Sequence, residues 1–436
     1  MAGIFFQWRR EFTGAGAILA GLLAGGPAMA QVNLPRLPDP PPVGGLLGEL
    51  EDEVARPQEE PLAHLLDARR RLVRDLLRRN RTELERDPRG EPIVRGEVTA
   101  FSPSADALAA AQRAGFTIAR EISAAGLDVR VVVLRGPDGQ STRRALRRLQ
   151  RMDPGGAYDF NHVYLPVGAA DPVGAEVHQA TAAAERDGRP VRLGLVDGGI
   201  ALGHPAFRDA TIHVHGCDGS PVETAHGTAT ASLLVGRAEG FRGAEPAGIL
   251  YAADIYCGRA TGGAADAFVG ALAWLAGEGV AVINTSIVGP PNRVLERIIS
   301  LLAARGHVIV AAIGNDGPAA RPLYPAAYPE TVGVTGVNGR RRVLPEAGRG
   351  PHVDFAAPGM NMIAAAIESP YAEVRGTSFA APLVAGLLAA LIEQPDPVAA
   401  REAVARLAAS AIDLGREGRD EVYGDGLVGE SLRVAP

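Results

Sequence analysis

The pattern of apolar and polar positions changes at residue 190 and predicts an α/β domain over residues 190–436. Apolar runs rich in Val and Ile predict buried strands at residues 191–196, 249–255, 280–283, 308–313 and 331–337. Apolar positions at helical spacing predict helices at residues 268–276, 293–304 and 379–392. Strands that alternate with helices favour a mainly parallel, doubly wound sheet. In such a sheet, functional side chains follow the carboxyl ends of the strands.

Residues 92–166 show a different pattern, which predicts a small α+β domain. Its strands are predicted at residues 93–101, 116–122, 127–134 and 158–165, and its helices at residues 104–114 and 141–152. The order βαββαβ is typical of a ferredoxin-like fold. No catalytic cluster falls in this region, so by itself it is predicted to be a folding or binding module.

The first 61 residues predict an export signal followed by a linker. In residues 1–30, Arg9 and Arg10 precede a short apolar stretch, and Ala28-Met29-Ala30 resembles a cleavage site. The paired arginines also suit a twin-arginine signal, and an uncleaved anchor is the alternative. Residues 31–61 are Pro-rich, which is typical of a linker. We expect an exported protein, periplasmic or secreted, without a stable transmembrane segment after signal removal.

Residues 62–91 form a separate segment, with an amphipathic helix predicted over residues 62–86. Its apolar positions are Leu62, Leu65, Leu66, Val73, Leu76 and Leu77. The opposite face is rich in arginine, so the helix could either touch a membrane surface or present a solvated face over a small core. The sequence assigns no role to this helix.

Composition narrows the classes of function. The chain has 436 residues, of which 47% are apolar and 22% charged, and these are values of a globular protein. A net charge of −6 disfavours a general nucleic-acid binder. The chain contains no lysine, which excludes a P-loop lysine, a Schiff-base lysine and a Ser-Lys dyad.

Three residues with catalytic chemistry lie at the ends of predicted elements. Asp197 follows a strand, His226 begins a helix of small residues, and Ser378 lies at a helix N-terminus, where the dipole favours developing negative charge. Pro382 is expected in the first turn of that last helix. Taken singly, Asp197 could be a metal or ribose ligand, His226 a structural histidine and Ser378 a helix N-cap. Together, they are the parts of an activated serine nucleophile.

Asn315 supplies a fourth part of such a site. It follows the strand at residues 308–313, and its side-chain amide can donate a hydrogen bond to an oxyanion. An α/β-hydrolase is excluded, because the chain lacks a G-x-S-x-G elbow and has the order Asp, His, Ser.

The order and context of these residues resemble those of the subtilisin-like serine proteases, or subtilases. The matching segments are Val196-Asp197-Gly198-Gly199, His226-Gly227-Thr228, Asp354-Phe355-Ala356-Ala357-Pro358-Gly359, Gly376-Thr377-Ser378-Phe379-Ala380-Ala381-Pro382 and Tyr423-Gly424-Asp425-Gly426-Leu427. The resemblance covers about residues 190–430. It implies a subtilisin-like fold and hydrolysis of polypeptide substrates through an acyl-enzyme.

The resemblance also implies a role for each residue. Ser378 would be the nucleophile, His226 the base and then the acid, and Asp197 the group that orients His226. Asn315 and the Ser378 backbone N–H would hold the oxyanion. Acid-acting relatives use Glu and Asp in place of His226 and Asn315, so we expect activity near neutral pH.

Residues 92–166 resemble the propeptide of many subtilases, which assists folding and blocks the cleft. The resemblance implies that the peptidase is made as a zymogen whose own propeptide is a partner. Residues 167–189 would be the connecting segment in which self-cleavage occurs.

Two departures from the family concern the substrate pocket. Ser286, Ile287, Val288 and Gly289 resemble its wall, and Val288 stands where the family usually has Gly. Leu323 stands at the pocket floor, where the family usually has a small residue. We expect a shortened pocket that favours small residues on the acyl side of the cut, unless backbone shifts absorb the extra volume.

The two cysteines, Cys217 and Cys257, could belong to a metal site or form a disulfide. His213, His215 and Cys217 alternate along one predicted strand and could share a metal ion. A disulfide between Cys217 and Cys257 is favoured in an exported protein. No cofactor is predicted; a structural calcium ion, common in the family, is possible but not indicated.

Three functional hypotheses remain open. The favoured one is an exported serine endopeptidase made as a zymogen, because all four chemical residues are present. The second is a catalytically silent subtilase that serves as a binding or scaffold protein. The third is a peptidase that processes one partner protein instead of digesting broadly.

Overall fold

The structure, a computed structural model, describes residues 60–124, 127–166, 169–174 and 190–435. The predicted signal at residues 1–30, nearly all of the linker at 31–61 and most of the connecting segment at 167–189 lie outside the described residues. Within the described part, no helix has the length and apolar character needed to cross a membrane.

The elements are numbered in chain order. The strands are β1 (Leu84–Arg86), β2 (Pro92–Phe101), β3 (Thr117–Ala124), β4 (Val129–Arg135), β5 (Ala157–Pro166), β6 (Ala169–Gly174), β7 (Arg192–Asp197), β8 (Thr211–His215), β9 (Arg237–Ala238), β10 (Phe241–Arg242), β11 (Ile249–Asp254), β12 (Gly263–Ala264), β13 (Val282–Thr285), β14 (Ile287–Val288), β15 (Val308–Ala312), β16 (Thr331–Val337), β17 (Phe355–Pro358), β18 (Met362–Ala365) and β19 (Tyr371–Arg375). The helices are α1 (Glu60–Arg79), α2 (Ala105–Arg113), α3 (Thr142–Met152), α4 (Ala225–Val235), α5 (Ala265–Gly277), α6 (Arg293–Ala304), α7 (Thr377–Ala389) and α8 (Pro397–Ser410).

A seven-stranded parallel sheet, in the order β17-β16-β15-β13-β7-β11-β8, forms the centre of the larger part. Every residue of β13, β15 and β16 is buried, because helices cover both faces of the sheet. Helices α5 and α6 pack on one face, and α4 and α7 pack on the other. The prediction of a mainly parallel, doubly wound sheet is confirmed.

Residues 92–166 form a smaller antiparallel sheet in the order β5-β2-β4-β3. Helices α2 and α3 pack against it through Leu108, Ala111, Leu146 and Leu149. The hydroxyl of Ser104 caps α2 by accepting a hydrogen bond from the Ala107 N–H at 3.1 Å. The predicted order βαββαβ is present.

The segment before this sheet differs from its prediction. Helix α1 ends at Arg79 instead of residue 86, because both nitrogens of Asn80 donate to the Leu76 carbonyl and close the last turn. The chain then forms β1, which pairs antiparallel with β2 and buries Leu84. Val73 and Leu77 of α1 are buried as well, so the apolar face of α1 lies over a small core, whereas Arg71 and Arg74 of the arginine-rich face are exposed.

The outgoing end of β5 joins the two parts, which belong to one compact unit from Leu62 onward. β5 pairs antiparallel with both β12 and β14, so its last residues lie between two segments of the larger part. The Tyr164 hydroxyl donates to the Pro290 carbonyl at 3.0 Å, and Asn292 Nδ2 donates to the Phe160 carbonyl at 2.9 Å.

Candidate active site

Asp197 and His226 form a hydrogen-bonded pair at the carboxyl edge of the parallel sheet. Asp197 is the last residue of β7 and is fully buried. His226 lies in the first turn of α4, with Nδ1 2.9 Å from each carboxylate oxygen of Asp197. The carboxylate also accepts hydrogen bonds from the Gly198 N–H and the Thr230 hydroxyl. These donors fix the carboxylate, which in turn fixes the imidazole ring.

The chain around His226 brings α4 unusually close to the end of β7. Thr224 caps the helix, and its side chain accepts a hydrogen bond from the Gly227 N–H at 3.0 Å. A Cβ atom on residue 227 would lie 2.4 Å from the Gly198 carbonyl oxygen, far inside van der Waals contact. Glycine after His226 is therefore a requirement of the close approach that allows the Asp197–His226 contact.

Ser378 lies at the same edge of the sheet, at the second residue of α7, and is buried. The ring of the next residue, Phe379, has its centroid 5.5 Å from that of His226, so the first turns of α7 and α4 are neighbours. Among the described residues, the Ser378 hydroxyl has no hydrogen-bond partner. Ser378 thus lies at the N-terminus of a helix that neighbours the Asp197–His226 pair, and the dipole of that helix favours negative charge.

The expectation for Pro382 is wrong. Because α7 begins at Thr377, Pro382 lies in the helix interior, where a proline has no N–H for the carbonyl four residues earlier. That carbonyl belongs to Ser378, and it accepts instead a hydrogen bond from the Ser286 hydroxyl at 2.8 Å. Ser286 also accepts from Asn284 Nδ2 at 2.9 Å. The side chain of Ser286, predicted to bind substrate, is therefore directed into the protein.

Asn315 follows β15 and contacts the beginning of α7. Its Oδ1 accepts a hydrogen bond from the Thr377 N–H at 3.1 Å. The Thr377 hydroxyl in turn accepts from the Gly314 N–H at 3.2 Å. With Oδ1 engaged in this way, the Nδ2 group of Asn315 is the end of the amide that can donate to a bound oxyanion.

Val288 and Leu323, the two residues predicted to shorten the pocket, are buried and contact each other. Two backbone hydrogen bonds between Gly289 and Tyr324, of 2.9 and 3.0 Å, join the segments that carry them. Leu323 also lies against Gly314, where a Cβ atom would be 2.5 Å from Leu323 Cδ1. The extra side-chain volume therefore lies beside the residue that precedes Asn315.

Two segments of the site pair with the chain that connects the smaller part to the larger. In β14, Ile287 pairs with Pro166, and Val288 pairs with Leu165. After residues 167 and 168, which lie outside the described residues, β6 pairs antiparallel with β19. β19 ends at Arg375 and leads directly into α7 and Ser378, so the strand that precedes the candidate nucleophile also has a backbone partner in this chain segment.

The cysteines form the predicted disulfide between Cys217 and Cys257. The shared metal site of His213, His215 and Cys217 does not form. Cys217 is oxidised and lies beyond the end of β8, His213 stacks on Tyr251, and His215 stacks on Trp274. In the described chain, the grouping with metal-ligand spacing is Cys217, Asp254 and Cys257, whose two sulfurs are bonded to each other.

Two supporting residues of the site, Thr230 and Asp254, were not predicted from the sequence. Thr230 stands four residues after His226, one helical turn on, where its hydroxyl reaches Asp197. Asp254 ends β11 in register with Asp197 and accepts hydrogen bonds from the N–H groups of Val222, Tyr256 and Cys257. Burial raises the pKa of the Tyr256 phenol, and the charges of Asp197 and Asp254 raise it further. An acid at the end of the next predicted strand was the available signal for Asp254.

Comparison with known proteins agrees with this architecture. The profile described as "Subtilase family" matches residues 188–426. Subtilisin Savinase from Lederbergia lenta is 33% identical over 267 residues, which are 59% of this chain and 96% of the relative. M-protease from Shouchella clausii (strain KSM-K16) is also 33% identical over 267 residues, covering 59% of this chain and 68% of the relative.

The fold has a counterpart among solved structures. The crystal structure of fervidolysin from Fervidobacterium pennivorans, described as related to subtilisin, aligns with a TM-score of 0.63 at 18% identity. The alignment covers 80% of this chain, more than residues 188–436 alone could supply, and 62% of the fervidolysin chain. Sequence and fold together define a serine endopeptidase of the subtilisin-like class. The chain belongs to the subtilase family.

Proposed function

We propose that this protein is an exported serine endopeptidase made as a zymogen, with Asp197, His226 and Ser378 as its catalytic triad. The observation that carries the proposal is the buried Asp197 carboxylate within 2.9 Å of His226 Nδ1, at the edge of the sheet where α7 presents Ser378. A serine hydroxyl is a weak nucleophile at neutral pH, so it needs a base whose tautomer is fixed by an acid.

The proposed reaction follows from these positions. With the Nδ1 proton donated to Asp197, Nε2 of His226 is the nitrogen that accepts the Ser378 proton as Oγ attacks the carbonyl carbon. His226 then returns this proton to the leaving amine, and water hydrolyses the acyl-enzyme. The Asn315 amide and the Ser378 N–H would donate to the oxyanion. In the absence of substrate, a hydrogen bond between nucleophile and base is often not yet formed.

We further propose that residues 92–166 inhibit the peptidase before cleavage. In support, the last residues of β5 lie between β12 and β14 of the larger part, with which they pair, and β6 pairs with β19, the strand that leads into Ser378. An extended chain held between two such segments has the arrangement of a bound substrate. Cleavage between Pro166 and Ala169 would fall at the start of the connecting segment predicted at residues 167–189.

The proposed preference for small residues on the acyl side of the cut rests on Val288 and Leu323. Both side chains are buried and contact each other, and Val288 belongs to the segment that would form the pocket wall. Export rests on the signal predicted in residues 1–30, and the location, periplasmic or secreted, remains a proposal. No cofactor is required by the proposed chemistry.

The test is a pair of substitutions in the full-length chain. We expect Ser378→Ala and His226→Ala each to abolish hydrolysis of peptides and to leave the chain uncut on a denaturing gel, because the triad acts as a unit. As a control, Ser410→Ala on α8 should be processed normally. A Ser378→Ala chain that is still cut without added protease would show that another enzyme performs the maturation.

The alternative, a catalytically silent binding protein, makes a separate prediction. Only an activated serine reacts rapidly with a fluorophosphonate probe. We expect labelling of the cleaved protein at Ser378 and none in the Ser378→Ala variant; absence of labelling in a folded, cleaved wild-type protein would favour the scaffold function.

A further inference from the structure

Helix α1 packs onto the part of β5 that lies in the candidate cleft. Val73 and Leu77 form a buried cluster with Val163 and Leu165, and Leu84 of β1 completes it. The same stretch of β5 pairs through its backbone with β12 and β14 of the larger part. The end of β5 is therefore held between α1 and the peptidase part.

A second contact connects α1 to the peptidase part without involving β5. Arg69 Nε lies 3.2 Å from Asp316 Oδ2, and Arg69 Nη2 lies 3.3 Å from Glu91 Oε2. The side chains of Arg69 and Asp316 are only 14% and 17% exposed. Asp316 directly follows Asn315, so this ion pair lies beside the proposed oxyanion donor.

The ion pair has a clear electrostatic basis. Burial raises the pKa of Asp316 above its usual value; the charge of Arg69 offsets part of this rise, and the charge of Glu91 adds to it. A carboxylate that is largely removed from water is costly unless a cation compensates it. The Asp316 carboxylate of the peptidase part therefore favours a nearby guanidinium group, and Arg69 of α1 supplies one. The apolar residues Val73 and Leu77 of the same helix pack on β5.

We propose that α1 is a second inhibitory element, a clamp that holds residues 163–166 in the cleft and delays their release after cleavage. This inference rests on the proposed function, because it concerns the same cleft. The clamp consists of two contacts. The apolar cluster packs against β5, and the Arg69–Asp316 ion pair binds α1 to the loop of Asn315. Release of the pro-segment requires both to separate.

The test compares full-length variants whose cleaved enzymes are identical, because the substituted residues precede the proposed cut. Arg69→Ala removes the ion pair, and Leu77→Ala weakens the apolar cluster. Arg74→Ala, an exposed arginine of the same helix, is the matched control. For each protein, two times would be measured: the time at which the chain is cleaved, seen on a gel, and the time at which the rate of hydrolysis of a peptide with Ala at the cut reaches its final value. The interval between the two times is the quantity compared.

We expect Arg69→Ala and Leu77→Ala to shorten this interval at least threefold, with the same final activity per molecule as the wild type. Arg74→Ala should keep the wild-type interval. Wild-type intervals in both Arg69→Ala and Leu77→Ala would overturn the clamp.

A second measurement does not depend on catalysis. In the uncut Ser378→Ala chain, hydrogen exchange at the amides of residues 163–165 should become about tenfold faster when Arg69→Ala is added, and should stay unchanged with Arg74→Ala. Unchanged exchange with Arg69→Ala would refute the clamp even in an active protease. If exchange is faster with Arg69→Ala but the wild-type protein has no peptidase activity, the proposed function is refuted and the clamp is retained.

Discussion

The carbonyl of Ser378 is held by a side chain from another segment, not by its own helix. Pro382 removes the helical donor, and the Ser286 hydroxyl takes its place at 2.8 Å. Ser286 directly precedes β14, the segment that pairs with β5. The position of the proposed nucleophile is thus coupled to the segment proposed to bind substrate.

This coupling can be measured with a double-mutant cycle. Ser286→Ala leaves a buried carbonyl and the Asn284 amide without their partner, so we expect a loss of about 1–3 kcal/mol in the free energy of unfolding. In a Pro382→Ala background the loss should be smaller, because residue 382 then has an N–H for the Ser378 carbonyl. Urea unfolding of the four proteins, made in an inactive Ser378→Ala chain, gives the coupling energy. Equal losses in both backgrounds would refute the replacement of one donor by the other.

The contact between Val288 and Leu323 leads to a prediction about selectivity. Overfilling a packed site costs about 1–3 kcal/mol, which corresponds to about 10- to 200-fold in the specificity for small over large residues. We expect the kcat/KM for peptides with Ala at the cut to exceed that for matched Phe peptides by a factor in this range. Val288→Gly should recover much of the activity on Phe.

The matched control for this experiment is Val398→Gly, since Val398 is 53% exposed on α8. It should leave the ratio of Ala to Phe unchanged. Wild-type activity on Phe equal to or higher than on Ala would contradict the filled pocket.

At the scale of elements, the disulfide fastens two loops that lead to the site. Cys217 follows β8 and Cys257 follows β11, and these strands are neighbours in the sheet. The chain after Cys217 leads to Thr224, which caps the helix of His226, and the chain after Cys257 leads to β12, a partner of β5.

Removal of the disulfide should therefore lower stability. The two cysteines are 40 residues apart, and closing a loop of this length typically contributes about 2–4 kcal/mol. We expect Cys217→Ser/Cys257→Ser to lower the free energy of unfolding by this amount, measured by urea unfolding of the inactive chain. Addition of a reductant to the parent chain should have the same effect and should not affect the double variant. A parent chain insensitive to reductant would contradict a stabilising role.

The sequence could predict an element where local features stabilise it, and could not where long-range contacts do. Helix α6 was predicted to the residue because Asn292 caps it and its apolar positions keep one period. Five strands of the parallel sheet were predicted to within two residues, whereas no bounds were predicted for its edge strands β8 and β17. The two-residue strands β12 and β14 carry no periodicity, and they exist only because β5 supplies their hydrogen bonds. Motif residues of the site could be predicted, whereas Arg69–Asp316 and Ser286–Ser378 depend on long-range packing that no local pattern records.

At the scale of the whole molecule, a network of charged side chains around two buried carboxyl groups joins the smaller and larger parts. Glu97 of β2 accepts hydrogen bonds from Arg120 at 2.5 and 3.1 Å and from Asn161 at 2.9 Å. Arg120 and Asn161 also donate to Asp266 of α5, at 2.7 and 3.0 Å. Asp266 belongs to the peptidase part, so two carboxylates from different parts share the same donors. The contact between the two parts is strongest while the Glu97 carboxylate, which both donors contact, is ionised.

Acid should therefore loosen the pro-segment. Burial opposes ionisation of Glu97, but hydrogen bonds from Arg120 and Asn161 and the charge of Arg120 outweigh it and lower the pKa of Glu97 below its usual 4.5. A carboxyl group with a lowered pKa in the folded state stabilises that state fully above its unfolded value, and the stabilisation is lost as pH falls through the lowered pKa. We expect the urea midpoint of the uncut Ser378→Ala chain to fall as the pH decreases below about 4.5. In Glu97→Gln, the urea midpoint should be lower at neutral pH, and it should fall less steeply with acid. Some fall should remain because of Asp87. Burial opposes its ionisation, but the contact with His162 outweighs burial and lowers the pKa of Asp87, so this group titrates in the same direction. An equally steep acid response in Glu97→Gln would show that other groups control it.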